Sequence, residues 1–202
     1  MNIDQYLEQL ETGQIALPIA IILLALIIIL IINGRKLRHH YFEWKTRRCL
    51  NAIGIKQIKN VVCPDGLDGK FNIDRLVMLH DSILLIAFKP YSGNIYCADN
   101  IPEWTQVVGQ KSYKFANPLY EMENQVTAIQ SFLPDTPVRS VLFFDHNARF
   151  PKGHPDQVLN PDNIPDYMLR VTCPEPRVEV LDSWAYLLKI AKQVNQSVIL
   201  QK

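Results

Sequence analysis

The chain has 202 residues, 48% of them hydrophobic and 20% charged, with a formal net charge of +1. Past residue 48 it carries 15 Lys and Arg against 16 Asp and Glu, which excludes an electrostatic sponge for polyanions. Cys49, Cys63, Cys97 and Cys173 show no C-x-x-C spacing, so neither a zinc site nor a disulfide framework is indicated, and a reducing cytoplasm suits them.

In chain order, the first feature is Ile15 to Ile32, a run of apolar residues inside a stretch without charge from Thr12 through Gly34. At a rise of ~1.5 Å per residue such a run covers roughly 27 Å, enough for the hydrocarbon core of a bilayer. Pro18 falls in its first turn, where a missing N–H is tolerated. The pattern predicts a transmembrane helix over 15–33. A signal peptide would want a positive n-region, whereas residues 1–14 hold Asp4, Glu8 and Glu11 and no base. Residues 34–48 reverse the sign, with Arg35, Lys36, Arg38, Lys45, Arg47 and Arg48 against Glu43. Bases stay on the cytoplasmic side. The expectation is therefore an extracytoplasmic tail over 1–14, a basic juxtamembrane helix over 34–48 that also suits anionic head groups, and a cytoplasmic domain over 41–202.

Within that domain Leu37 to Ile53 reads as a helix ended by Gly54, and Ile55 to Cys63 as a strand. Pro64 to Gly69 is a turn-rich loop, and Phe71–Leu79 and Ile83–Phe88 are two strands around His80-Asp81. The second is apolar on both faces, as for a central strand covered on both sides. A short strand over Asn94–Ala98 follows. Asn117-Pro118 opens a helix to about Leu133 with Leu119, Met122, Val126 and Ile129 on one face. Val138–Phe144 is a strand, and Asp145–Pro165, with four prolines, is mostly loop. Val180–Val194 is a closing helix with Leu181, Trp184, Leu188, Ala191 and Asn195 turned inward. A helix, three strands and a short fourth, a helix, a strand and a closing helix make an α/β fold with a mixed sheet flanked by helices.

In a hairpin about His80-Asp81, Asp74 falls opposite Ala87, and Lys89 shares their face. Burying an Asp and a Lys on one face is costly unless they are paired or solvated. A plain salt bridge at the strand end satisfies that requirement. So does a metal-dependent phosphodiesterase site, in which Asp holds a divalent cation and Lys faces the phosphate. Asp145, His146 and His154 read as loop polar residues. No P-loop, dinucleotide-binding, zinc-protease or nucleophile-elbow motif occurs.

The stretch Ile73-Asp74-Arg75, then Ile83 through Gly93, Trp104 and Phe115-Ala116-Asn117-Pro118-Leu119 resembles the nuclease-related domain (NERD) family. That resemblance covers Tyr41 to Phe144 and implies a restriction-endonuclease-like, PD-(D/E)xK fold acting with Mg2+ or Mn2+. Asp74 matches the family's metal-binding Asp and Lys89 its motif Lys. The motif Glu two residues before the Lys is Ala87, the His after the Asp is Arg75, and a Gln and a His on the following helix are Glu121 and Gln125. Glu43 stands where the resemblance implies a helix Glu, with Phe42 in place of the usual preceding glycine, and an i,i+4 pair with Arg47 on a solvated helix face is the plainer account of it. Glu121 sits in a first helical turn, where the dipole favours an acid with or without a metal. The candidate catalytic residues are Asp74, Lys89, Glu121 and Glu43, with Asp74 and Glu121 as metal ligands.

Three readings stay open. Loss of the acid at Ala87 weights them toward a membrane-anchored, catalytically impaired nuclease-like domain binding nucleic acid or another membrane protein. The alternatives are an active Mg2+-dependent nuclease whose carboxylate has moved to Glu121, and a membrane scaffold with no nucleic-acid role.

Overall fold

The computed structural model describes residues 19–28, 34, 40–66 and 69–199, the side chains of 194–199 excepted. The chain forms two compact units, 1–42 and 43–202. In the first, residues 19–28 are helical, and their Ile and Leu side chains are 48–62% exposed. Among the described residues no helix is long and apolar enough to cross a membrane. The expected tail, the rest of the expected span and residues 35–39 of the basic segment lie outside the described residues.

The second unit opens with a helix, here α1, over 43–52. Gly54 stops it at φ +67, where any Cβ would run into the Val77 side chain and the Met78 carbonyl. Four strands then follow: β1 (Lys56–Pro64), β2 (Lys70–Met78), β3 (Ile83–Lys89) and β4 (Gly93–Tyr96). Next come β5 (Glu103–Val108), β6 (Lys111–Ala116), α2 (Pro118–Phe132) and β7 (Val138–Phe144). Two-residue strands β8 (Ala148–Arg149) and β9 (Val158–Leu159), a 3-10 turn at Asp166–Met168 and α3 (Val178–Ile199) complete it.

These strands make two sheets, β1-β2-β3-β7-β9 and β6-β5-β4-β8. In the first, β1, β2 and β3 are antiparallel while β7 runs parallel to β3 and β9 parallel to β7. The mixed α/β expectation therefore holds. So does the central position of β3. Its Ile83 and Leu85 join one core with Leu119, Met122 and Ile129 of α2 and Val180, Trp184 and Leu187 of α3. Its Leu84 and Ile86 join a second core with Leu50 of α1, Ile53 just after that helix, and Met168. Full burial on both faces explains why that strand lacks polar alternation.

The departures from expectation have physical causes. The hairpin β5–β6 was not expected because Glu103–Val108 and Lys111–Ala116 carry little apolar alternation and expose most of their residues. The loop after β7 contains the short strands β8 and β9. The buried face of α3 keeps Trp184 and Ala191 but takes Val180 and Leu187 in place of Leu181, which is 39% exposed, and Leu188, which is only partly covered. Asn195 lies outside the described side chains.

Candidate active site

The expected register about His80-Asp81 is the one observed, but its next pair, Asp74 with Ala87, does not form. Hairpin pairs run from Met78–Ile83 to Arg75–Ile86 and stop there. The Phe88 N–H donates instead to the Asp74 carboxylate, 2.8 Å to Oδ2. On the other side of β2, Asn60 of β1 takes a left-handed conformation at φ +53. Ile73 and Leu76 then both enter the α2-side core, although three residues apart on a strand should face opposite sides. A break in phase at Asp74 thus places its carboxylate where β3 peels away from β2.

The second wall comes from α2. Asn117 caps this helix by accepting from the Leu119 N–H at 3.0 Å, and Pro118 fills its first position. The Asn117 amide also donates to the carbonyls of Asp99 and Ile101, both at 3.0 Å. Trp104 Nε1 donates to the Ala98 carbonyl at 3.0 Å, so the same loop is held from two sides. The helix start is fixed, and with it the position of Glu121 in the first turn.

Asp74, Lys89, Glu121 and Gln125 line one pocket of about 100 Å³, floored by Ala87 and Met122. That volume admits several water molecules. Among the described residues Asp74, Lys89 and Glu121 form no ion pair, so the plain Asp–Lys salt bridge is not what satisfies them. Glu121 accepts from Gln125 Nε2 at 3.3 Å. Three charged groups of both signs thus converge on one pocket without a direct ion pair among them. A larger cleft of about 580 Å³ opens beyond the other flank of α2, but its lining lacks such a lysine–carboxylate grouping. Chemistry, not size, singles out the smaller pocket.

Two carboxylates suffice for Mg2+, which commonly keeps waters and takes one or two protein acids plus phosphate oxygens. Among the described residues no group of three or more His, Cys, Asp or Glu is placed to hold a metal. A cation here would be bound by Asp74 and Glu121, with Asp74 Oδ2 already accepting from Phe88.

The remaining sequence candidates lie elsewhere. Glu43 is half-buried on α1 and is not among the residues lining the pocket. Arg75 is buried on β2 and donates 2.8 Å bonds to Asn51 Oδ1 and Gln57 Oε1, tying β2 to α1 and β1. Burial lowers its guanidinium from the usual arginine range, and the Asp74 charge partly offsets this. Asp145 accepts from Thr46 Oγ1 at 2.9 Å, and His146 Nδ1 lies 3.5 Å from Asp162, so this pair anchors loops to α1. His154 contacts Asn163 at 3.1 Å in the same loop region. Gln125 was visible in the sequence only as a departure from a family pattern; its i,i+4 spacing to Glu121 was the signal for their contact.

Comparison with known proteins gives one match. A family model described as "Nuclease-related domain" covers residues 38–145, just over half of the chain and all of the pocket. No curated protein and no solved structure matches.

Proposed function

Because the chain belongs to the nuclease-related domain family, we propose that it is a membrane-tethered, Mg2+-dependent phosphodiesterase acting on nucleic acid, with Glu121 in place of the acid absent at Ala87. The observation that carries this reading is the convergence of Asp74, Lys89 and Glu121 on one pocket without an ion pair among them. The fold is read as restriction-endonuclease-like on the strength of the mixed sheet with its active hairpin at β2–β3.

Asp74 and Glu121 supply the negative charge that binds Mg2+ or Mn2+. The bound cation supplies Lewis acidity toward a phosphodiester oxygen. Lys89 places its ammonium beside the same pocket, where it stabilises charge growing on the phosphate. Gln125 holds one Glu121 oxygen and so limits the rotamers of an otherwise exposed acid. Tethering rests on the apolar run from Ile15 to Ile32, on the exposed Ile and Leu side chains of 19–28, and on the basic residues that follow. The tail then faces out, and the domain lies at the cytoplasmic face among lipid and other membrane proteins.

A second reading, binding without cleavage, is favoured by one detail: Phe88 already occupies an Asp74 oxygen, which weakens that ligand. One experiment separates the two. The full chain, reconstituted into phosphatidylglycerol vesicles, should float with them and nick plasmid DNA in Mg2+ but not in EDTA. Lys89→Ala should float equally and nick about a hundredfold more slowly, the usual size of a lost transition-state donor. Floating without nicking, while DNA still binds, would select the second reading. Failure to float after carbonate washing would remove the tether.

A further inference from the structure

The cleft beyond the other flank of α2 has the form of a slot for an extended peptide. Along β7 the odd-numbered residues bond to β3, as the Ile83 N–H to Pro137 and the Asp145 N–H to Lys89 show at either end. The backbone groups of Val138, Ser140 and Leu142 therefore point away from β3, toward the open edge. The Val138 N–H is taken by Gln130 Oε1 at 2.9 Å, and the Leu142 N–H by the Gln157 carbonyl at 2.8 Å. Pairing with β9 covers only Leu142 and Phe143. Among the described residues nothing bonds the Ser140 N–H, the Ser140 carbonyl or the Val138 carbonyl. Both ends of this edge are closed off and its middle is not.

The cleft of about 580 Å³ lies against this middle. Val126 of α2 walls it on one side of the sheet, and Tyr167 and Met168 of the 3-10 turn wall it on the other. A strand laid along β7 would alternate its side chains between these walls, and ~3.3 Å per residue allows about four residues. The charge at the walls is specific. Glu123 and Asp156 are exposed and lack an ion-pair partner among the described residues, whereas Arg139 is held by Asp81 at 3.2 Å. The uncompensated charge is acidic.

We propose that this edge binds an extended, basic-apolar peptide segment of a partner protein by strand addition to β7. Backbone bonds to Val138 and Ser140 supply affinity, and Glu123 and Asp156 select a basic side chain. The site is separate from the Asp74 pocket, and α2 forms a wall of each.

The test uses the full chain in detergent micelles and a capped hexapeptide alternating valine with threonine, one position being lysine. Binding is expected with a dissociation constant on the order of 100 μM, together with slowed exchange of the Ser140 amide by NMR. The same peptide with glutamate for lysine should bind about tenfold more weakly, and Glu123→Lys should erase that preference. Of two peptides N-methylated on alternate residues, one should lose binding and the other keep it, because only one set of N–H groups faces β7. No binding at millimolar peptide, equal loss with both methylated peptides, or a Ser140 amide already protected in the free chain would each overturn the proposal. Dimerisation that Ser140→Pro abolishes would overturn it in favour of a second copy on this edge.

Discussion

Asp74→Asn is expected to leave the chain folded while its affinity for Mn2+ falls by about a hundredfold or more. Asparagine keeps the shape of the side chain and an oxygen for the Phe88 N–H, now bonded at 2.8 Å, so the splayed end of β3 retains its partner. What disappears is one of the two negative charges in the pocket. A cation that relies on two acids cannot replace one with a neutral amide oxygen at equal cost. Isothermal titration with Mn2+ reads the loss, and an unchanged far-UV spectrum and melting temperature show that it is local. If the melting temperature fell by ten degrees or more, the carboxylate would be a structural lock for the hairpin and not a ligand.

Trp104→Ala should be the most damaging single change to stability. Its ring is fully buried between Phe115 and Phe144, with centroids at 6.1 and 6.4 Å, and joins the second sheet to the main core. Removing a buried indole costs about 3–5 kcal/mol through lost transfer energy and the cavity left behind. The loop would also lose the indole N–H bond to the Ala98 carbonyl, leaving that carbonyl only the 3.5 Å contact from the Asn117 amide. Against a typical stability of about 5–15 kcal/mol, that is a large fraction of the margin. Urea denaturation should show a large drop in midpoint with little change in slope. The same loop braces Asn117, so loss of order at the start of α2 should accompany the destabilisation.

Much of this was legible in the chain. The apolar run of β3, the Asn-Pro start of α2 and the turn at Gly54 carry strong local signals, and each produced the element expected. The family pattern brought Asp74, Lys89 and Glu121 to attention, and the fold places all three at one pocket. What alternation could not show was the phase break at Asp74, because it depends on Asn60 adopting φ +53 on the neighbouring strand, and a non-glycine residue there gives no warning. The polar hairpin β5–β6 escaped for a related reason. It is held by the buried Trp104 and by pairing with β4, not by an apolar stripe of its own. The open edge of β7 depends on where a two-residue strand stops, which no sequence periodicity encodes.

The central claim is that Glu121 stands in for the carboxylate absent at Ala87, and exchanging the two positions tests it most directly. DNA nicking and Mn2+ binding by the full chain are compared with those of Glu121→Gln and of the double variant Ala87→Glu with Glu121→Gln. Both positions face the same pocket, so the double variant returns the acid from another wall. The expected result is that Glu121→Gln loses about a hundredfold in nicking and most of its Mn2+ affinity, and that the double variant recovers the greater part of both. Glu121→Gln nicking DNA and binding Mn2+ as well as the unaltered chain would contradict it.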